Sequence, residues 1–187
     1  MLQRLVSIAS QVLSIYEELD LLHEKLQVNC NGCRRCCETE AYNIEATILE
    51  FIPLALHLIE TNQFDFWFEK AQHLTPADRC VLLVDESIKA EGGCLFHSYR
   101  PLVCRLFSAS YLKRKNIEIL SCSFLKESLS QKLDQLVDAQ HYFDRLYDVD
   151  FYLATTKYDI NTAFRKALEY VGMRALPTGY PSIPLAS

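Results

Sequence analysis

The sequence predicts a mainly α-helical single domain with small β-hairpins that is organised around its cysteines. Apolar residues recur at three- and four-residue steps along several long stretches, which is typical of helices that pack on a core. Short apolar stretches bounded by turn residues lie between them and fit the strands of hairpins. The chain contains eight cysteines, and four of them lie within residues 30–37.

Length and composition exclude several classes of protein. The 187 residues, of which 50% are apolar, suit one domain with a substantial core. The net charge of −5 provides no basic surface for nucleic acid. No apolar run reaches the ~20 residues that span a membrane, and polar residues interrupt Leu2 to Leu22 where a signal peptide would be apolar. We therefore expect a cytoplasmic protein with neither nucleic acid nor membrane as a partner.

The cysteines at the start of the cluster have the spacing of metal ligands. Cys30, Cys33 and Cys36 repeat the C-x2-C spacing twice, as in ferredoxin-type iron–sulfur sites, while Cys30 and Cys33 alone would suit half of a zinc site. Cys37 adds a fourth sulfur. Because adjacent side chains usually diverge, Cys36 and Cys37 are predicted to serve different metal atoms, in two four-thiolate sites or in one cluster.

Two other interpretations of the cysteines carry less weight. Isolated cysteines are often small buried apolar residues, but this explains the dense cluster poorly. A disulfide framework suits small secreted chains, whereas this chain is large enough to need no covalent staples. In a reducing cytoplasm, clustered thiols more often bind metal. The predicted fold is therefore a single domain organised around a cysteine-ligated metal centre.

The first half of the chain has a helical pattern on both sides of the cysteine cluster. Residues Leu2 to Leu26 predict one amphipathic helix, and His23 near its end is expected to be a surface residue. Asn43 can cap a helix that starts at Ile44, and Pro53 should kink or restart that helix. The apolar side of the first helix comprises Leu5, Ile8, Val12, Tyr16, Leu19 and Leu26.

A further helix is predicted from Gln63 to His73. It carries the aromatic cluster of Phe64, Trp67 and Phe68, which we expect to belong to the core and not to a ligand-stacking surface.

The strand candidates surround the later cysteines. Cys80 to Val84 and Cys94 to Phe96 could pair across a polar loop, and a short helical turn is predicted from Ser98 to Cys104. A second hairpin fits Ala109 to Leu120. Since Cys122 follows it directly, this hairpin is expected to position the last thiolate.

The C-terminal part predicts helices again. Phe124 to Tyr147 shows one helical pattern, which Asp148 to Asp150 interrupts. The last helix is expected to begin near Asn161 as its cap and to end at Gly172. The remaining tail contains three prolines and is expected to be extended or disordered.

The later cysteines also stand in a recognisable context, since residues 93–107 read G-C-L-F-H-S-Y-R-P-L-V-C-R-L-F. Together with the C-x2-C-x2-C-C run, this context resembles the CxxCxxCC cysteine-cluster family, whose members are described as zinc- or iron-chelating. The resemblance covers roughly residues 28–125, and Arg100, Pro101, Arg105 and Phe107 match the family pattern as well. Arg34 and His97 depart from it, because the family usually has Gly and Tyr at these places.

The resemblance implies a metal centre with zinc or an iron–sulfur cluster as cofactor. Arg100 and Arg105 are expected to lie beside the thiolates, where guanidinium groups offset negative charge and donate hydrogen bonds to sulfur. Arg34 and Arg35 are equally consistent with such a role or with an ordinary surface position, and Arg79 also lies within four residues of a cysteine. The implied ligands are the eight cysteines: Cys30, Cys33, Cys36, Cys37, Cys80, Cys94, Cys104 and Cys122.

The predicted organisation is one compact domain with four segments. These are an N-terminal amphipathic helix at 1–27, the cysteine-cluster core at 28–125, C-terminal helices at 126–172 that pack on the core, and a proline-containing tail at 173–187.

Three functions remain open at this point. The metal centre could be structural, a store or a sensor. It could serve an enzyme or an enzyme's partner in electron transfer or protein modification. In a third alternative, zinc holds together an interaction module. The sequence identifies no catalytic residue and no protein partner.

Overall fold

A computed structural model describes residues 2–28, 34, 37–84 and 93–175, and every structural statement below concerns these residues. Most of them are helical, which confirms the mainly α class. The helices are α1 (Leu2–Leu26), α2 (Ile48–Glu60), α3 (Phe64–Gln72), α4 (Leu102–Leu106), α5 (Ser123–Ser130), α6 (Ala139–Val149), α7 (Phe151–Thr155) and α8 (Ile160–Ala175). The strands are β1 (Glu45–Thr47), β2 (Ser110–Lys113), β3 (Ile117–Leu120), β4 (Val137–Asp138) and β5 (Lys157–Asp159).

The core forms around α2, which packs against both α1 and α8. The apolar side of α1 is buried as its periodicity predicts, and the hydroxyl of Tyr16 donates to the carbonyl of Glu50 at 2.8 Å, which ties α1 to α2. Phe51 and Phe164 meet edge to face with ring centroids 5.5 Å apart, which joins α2 to α8. The predicted helix Leu2 to Leu26 is therefore confirmed.

The start of α2 differs from the prediction. The helix begins at Ile48 and not at Ile44, because residues 45–47 form β1 and pair antiparallel with β5. A capping box formed by Thr47 and Glu50 closes the first turn, in place of Asn43. The helix also continues through Pro53 without restarting. The strand that pairs with β1 lies more than 100 residues away in the sequence, so no local pattern indicates it.

The region predicted as one helix from Phe124 to Tyr147 is divided. Helix α5 ends at Ser130, a 3-10 turn follows, and β4 then pairs in parallel with β2 before α6 begins. The Asp138 side chain accepts a hydrogen bond from the Gln140 amide and caps α6. Pairing with β2 therefore outweighs the helical periodicity of this segment.

Three other local predictions are confirmed. Strands β2 and β3 form the expected hairpin, with Lys113 opposite Ile117. Helix α3 follows its predicted range to within a residue at each end, and Phe64 and Trp67 are buried core residues, as expected for this aromatic cluster. The break at Asp148 to Asp150 separates α6 from α7.

The start of the last helix is confirmed to within a residue, since α8 begins at Ile160, but its predicted cap and its predicted end are wrong. Asp159, and not Asn161, accepts the hydrogen bond from a first-turn amide, that of Thr162, at 3.0 Å. At the other end α8 passes through Gly172 and ends at Ala175. The polar loop before Gly93 and the tail beyond Ala175 lie outside the described residues. Among the helices of the described part of the chain, none has both the length and the apolar character needed to cross a membrane.

The first prediction concerns Asp150, which caps α7. Its carboxylate accepts from the Leu153 amide at 3.1 Å, and its bond to Arg4 adds little because the Arg4 side chain is mostly exposed. We expect Asp150→Ala to lower the free energy of unfolding by about 1 kcal/mol, as loss of an N-cap usually does. Urea denaturation measures this change. Unaltered stability would show that the cap contributes nothing to the fold.

Candidate metal centre

The five described cysteines lie around one cavity of about 420 Å³. Apolar side chains from several elements form much of its remaining wall, and a smaller polar part comes from Thr39, Asn43, His97 and Arg100. No disulfide joins these cysteines to one another. The structure thus gathers residues that are widely separated in the sequence: Cys37, Cys80, Cys94, Cys104 and Cys122.

Each cysteine reaches the cavity on a different local structure. Cys37 lies in a turn, since its amide and that of Glu38 both donate to the carbonyl of Arg34. Cys104 belongs to α4, and Cys122 is the N-cap residue of α5. The position of Cys122 directly after β3 agrees with the expectation that the second hairpin places the last thiolate.

Cys80 and Cys94 are brought together by a short antiparallel pairing. Leu83 and Cys94 form an isolated bridge, and the Leu95 amide donates to the Leu82 carbonyl at 2.8 Å. The predicted pairing of these two segments is therefore confirmed, although it is limited to this bridge. Burial and the neighbouring Cys94 thiolate raise the pKa of Cys80 to about 12, while hydrogen bonds from the amides of Leu82 and Leu83 act in the opposite direction.

The turn that carries Cys80 is attached to α8 by Asn161. This side chain is only 2% exposed. Its carbonyl oxygen accepts from the Val81 amide at 2.9 Å, and its amide nitrogen donates to the Arg79 carbonyl at 2.9 Å. Sequence reasoning treated Asn161 as a helix cap. No sequence signal could have identified this contact, because an asparagine near a helix start has a sufficient local explanation.

Glu50 attaches the segment that carries Cys104 to α2. Its Oε2 atom accepts from the Val103 amide at 3.0 Å, while Oε1 accepts from the Thr47 amide at 2.8 Å. Burial raises the pKa of Glu50, and the hydrogen bonds from Val103 and Thr47 partly oppose that rise. The sequence analysis does not single out Glu50, so this contact was missed as well.

Arg105 is fully buried and holds the chain around Arg100. Its guanidinium donates to the carbonyls of Ser98 at 2.7 Å and Arg100 at 3.0 Å, forms an ion pair with Asp20, and lies over the Tyr16 ring. It therefore joins α1 to the segment between Cys94 and Cys104. Arg105 is not among the described residues that line the cavity, so its predicted role beside a metal stays a prediction.

Arg100 lines the cavity and is 7% exposed. Its Nη2 atom donates to Asp20 at 3.1 Å and to Nδ1 of His23 at 2.8 Å, and Nη1 contacts the ring of His97. The expectation that His23 is a surface residue is wrong, since it is 5% exposed and hydrogen-bonded through Nε2 to the Arg105 carbonyl. Because Nδ1 accepts from Arg100, the proton of neutral His23 lies on Nε2.

Both histidines in this group are held in the neutral form. Burial first, and the nearby Arg100 charge second, lower the pKa of His23 to about 4. The same two causes lower the pKa of His97 to about 4. The network beneath the cavity therefore carries its positive charge on arginine, with Asp20 as the counter-ion.

The other arginines near cysteines lie in different surroundings. Arg34 forms an ion pair with Glu38 at 3.2 Å. Arg79 is exposed. Arg35, together with Cys30, Cys33 and Cys36, lies outside the described residues.

The described residues do not by themselves complete a metal site. Within them, no three cysteine, histidine, aspartate or glutamate side chains come close enough together to hold a metal ion. Their chemistry nevertheless fits a soft cation, because thiolates are the ligands that zinc and iron–sulfur clusters take from proteins. A metal would also deprotonate a buried thiol such as Cys80 on binding.

The family of the chain is established by comparison with known families. Residues 29–132 match the CxxCxxCC family, which is described as "Putative zinc- or iron-chelating domain". The match covers more than half of the chain, so the protein belongs to this family. Searches of curated proteins and of solved structures found no significant match.

The second prediction concerns pH and His23. The unfolded chain binds a proton on this histidine below pH 6.5, whereas the folded protein binds it only near pH 4. The stability contributed by neutral His23 is therefore present above pH 6.5 and is lost as the pH falls towards 4. The loss amounts to at most about 3 kcal/mol.

Urea denaturation of reduced, metal-free protein between pH 7 and pH 4.5 tests this prediction. We expect His23→Gln to be less stable at pH 7 and to lose less stability on acidification than the wild type. His73→Gln, at an exposed position, is the control and should keep the wild-type slope. Equal slopes for His23→Gln and the wild type would contradict the assignment.

Proposed function

We propose that the cavity is one side of a thiolate metal centre, which Cys30, Cys33 and Cys36 complete, so that eight cysteines hold zinc or an iron–sulfur cluster. The observation that carries the proposal is the convergence of all five described cysteines on one cavity. Cys37, which follows Cys36 directly, is one of them. The described residues hold too few close ligands for a metal, which is the expected result if the rest of the cysteine cluster supplies the others.

The surroundings of the cavity support a role in holding a metal. The amides of Leu82 and Leu83 at the Cys80 sulfur favour the thiolate, in the way that outer hydrogen bonds tune metal ligands. Arg100 provides positive charge at the cavity wall, which would offset the net negative charge of a polythiolate site. When bound, the metal would supply the cross-link between the cysteine cluster and the helical core.

The third prediction identifies the metal and its ligands. We expect protein purified without oxygen to carry zinc, or iron with acid-labile sulfide and a broad absorption band near 400 nm. Elemental analysis and X-ray absorption at the metal edge measure this, and sulfur should be the main ligand atom. Colourless protein with zinc would favour a structural or interaction module, whereas an iron–sulfur signal would favour electron-transfer or modification chemistry.

Cysteine variants test the same proposal. Cys80→Ser and Cys104→Ser should each reduce bound metal, because they remove sulfurs from the cavity. Asp150→Ala, a variant with lowered stability at a residue that does not line the cavity, should keep the wild-type metal content. A wild type without metal, or one whose metal has mainly nitrogen and oxygen ligands, would overturn the proposal.

The fourth prediction links metal to stability. Ligands on separate segments close long loops, and structural zinc in small domains contributes about 10–16 kcal/mol of apparent binding energy to folding. Here the helical core has its own apolar contacts, so we expect chelation to lower the melting temperature without unfolding α1, α2 and α8. Outside α2, hydrogen exchange should increase first within residues 28–125. Unchanged exchange in this range after complete metal removal would refute the coupling.

A further inference from the structure

The Asn161 side chain contacts both peptide planes that adjoin the α-carbon of Cys80. The Arg79 carbonyl, which accepts from Asn161, belongs to the plane on one side, and the Val81 amide, which donates to Asn161, belongs to the plane on the other. Each peptide plane is rigid, so φ and ψ are the only soft backbone dihedrals at a residue. By holding both planes, Asn161 restricts φ and ψ of Cys80 and thus sets the direction of its Cα–Cβ bond.

The helix that carries Asn161 is itself held firmly in the core. The residue lies in the first turn of α8, where Ala163, Phe164 and Ala167 are completely buried in the core. The preceding residue, Ile160, lines the cavity, so this turn of α8 adjoins the site. The two hydrogen bonds also fix the orientation of the amide, since only its oxygen can accept from Val81 and only its nitrogen can donate to Arg79.

A further hydrogen bond closes the turn that Asn161 holds. Val81 donates to Asn161, and the Leu83 amide donates to the Cys80 carbonyl at 3.0 Å. Hydrogen bonds to Asn161 and within the turn thus hold the backbone on both sides of Cys80. A ligand held in this way needs no reorganisation when a metal binds.

We propose that Asn161 is a positioning residue that presents the Cys80 thiolate to the metal. This inference rests on the proposed function. It predicts that loss of the Asn161 side chain weakens metal retention by more than the accompanying loss of stability explains. Partners that orient metal ligands typically change metal affinity by about 10–100-fold.

The test compares Asn161→Ala and Asn161→Asp with the wild type and with Asp150→Ala. Asn161→Asp keeps the side-chain volume and the acceptor for Val81 but loses the bond to the Arg79 carbonyl, so it carries the test if Asn161→Ala does not fold. The measured quantity is the EDTA concentration that removes half of the bound zinc or iron from folded protein. We expect it to fall at least about tenfold for the Asn161 variants and to stay near the wild-type value for Asp150→Ala.

A second measurement does not depend on the identity of the metal. In reduced, metal-free protein, the rate of alkylation of Cys80 by iodoacetamide is compared with that of Cys122 in the same molecule by mass spectrometry. Loss of the Asn161 hydrogen bonds should loosen the turn that carries Cys80 and raise the ratio of the Cys80 rate to the Cys122 rate. Asp150→Ala should leave this ratio unchanged. General destabilisation alone would alter both cysteines together and would leave the ratio near its wild-type value.

The outcomes separate the two proposals. Wild-type protein that holds no thiolate-bound metal overturns the proposed function, and the role of Asn161 falls with it. Wild-type protein that holds metal, with Asn161 variants that retain it as Asp150→Ala does and with an unchanged alkylation ratio, overturns only the role of Asn161.

Discussion

The side of the cavity that α4 and the segment before it form depends on the interactions of the buried Arg105 guanidinium. A cation inside a protein is tolerated only when carbonyls and an opposite charge replace its lost hydration. Here Asp20 supplies the opposite charge, while the carbonyls of Ser98 and Arg100 accept its N–H groups. These contacts fix the segment that leads into α4, the helix that carries Cys104. The position of Cys104 therefore depends on the hydrogen bonds and the ion pair of the buried Arg105 guanidinium.

Asp20 also forms an ion pair with Arg100, so one carboxylate pairs with both Arg100 and Arg105. Of these two arginines, Arg100 lines the cavity beside the thiols. The apolar wall lowers the local dielectric and raises the cost of the Cys80 thiolate, as the raised pKa of Cys80 illustrates. Under the proposed function, the positive charges of a metal and of Arg100 would together stabilise the thiolates and offset this cost. His23 and His97 are neutral, which agrees with this arrangement because protonated histidines would repel the neighbouring Arg100 guanidinium.

Local sequence patterns predicted those parts of the fold that have local causes. The periodicity of α1, the aromatic side of α3 and the hairpin of β2 and β3 each depend on neighbours in the sequence, and each was predicted correctly. The errors lie where distant segments pair. Strand β1 takes its partner from β5 and displaces the start of α2, and β4 joins β2 and breaks a helical pattern. A single sequence contains no local signal for either pairing.

The residues of the candidate site also fall into those that local patterns predicted and those that they did not. Spacing indicated the cysteines as candidate ligands, because chelation by a tight turn is a local property. The contacts of Asn161, Glu50 and His23 were not predicted, since each acts on a segment more than 50 residues away. Candidate ligands are thus easier to predict than the residues that hold their segments in place.

The positions of these supporting residues suggest an order of assembly for the proposed centre. Asn161 on α8 and Glu50 on α2 are buried on helices of the apolar core, whose contacts join protein side chains to one another. They attach the turn of Cys80 and the helix of Cys104 to these helices by hydrogen bonds between protein groups. Under the proposed function, one side of the centre would therefore form as the core folds, so that its ordering cost would be met before binding. The cysteine cluster would then close over this prepared side, and metal affinity would depend chiefly on how firmly the prepared thiols are held.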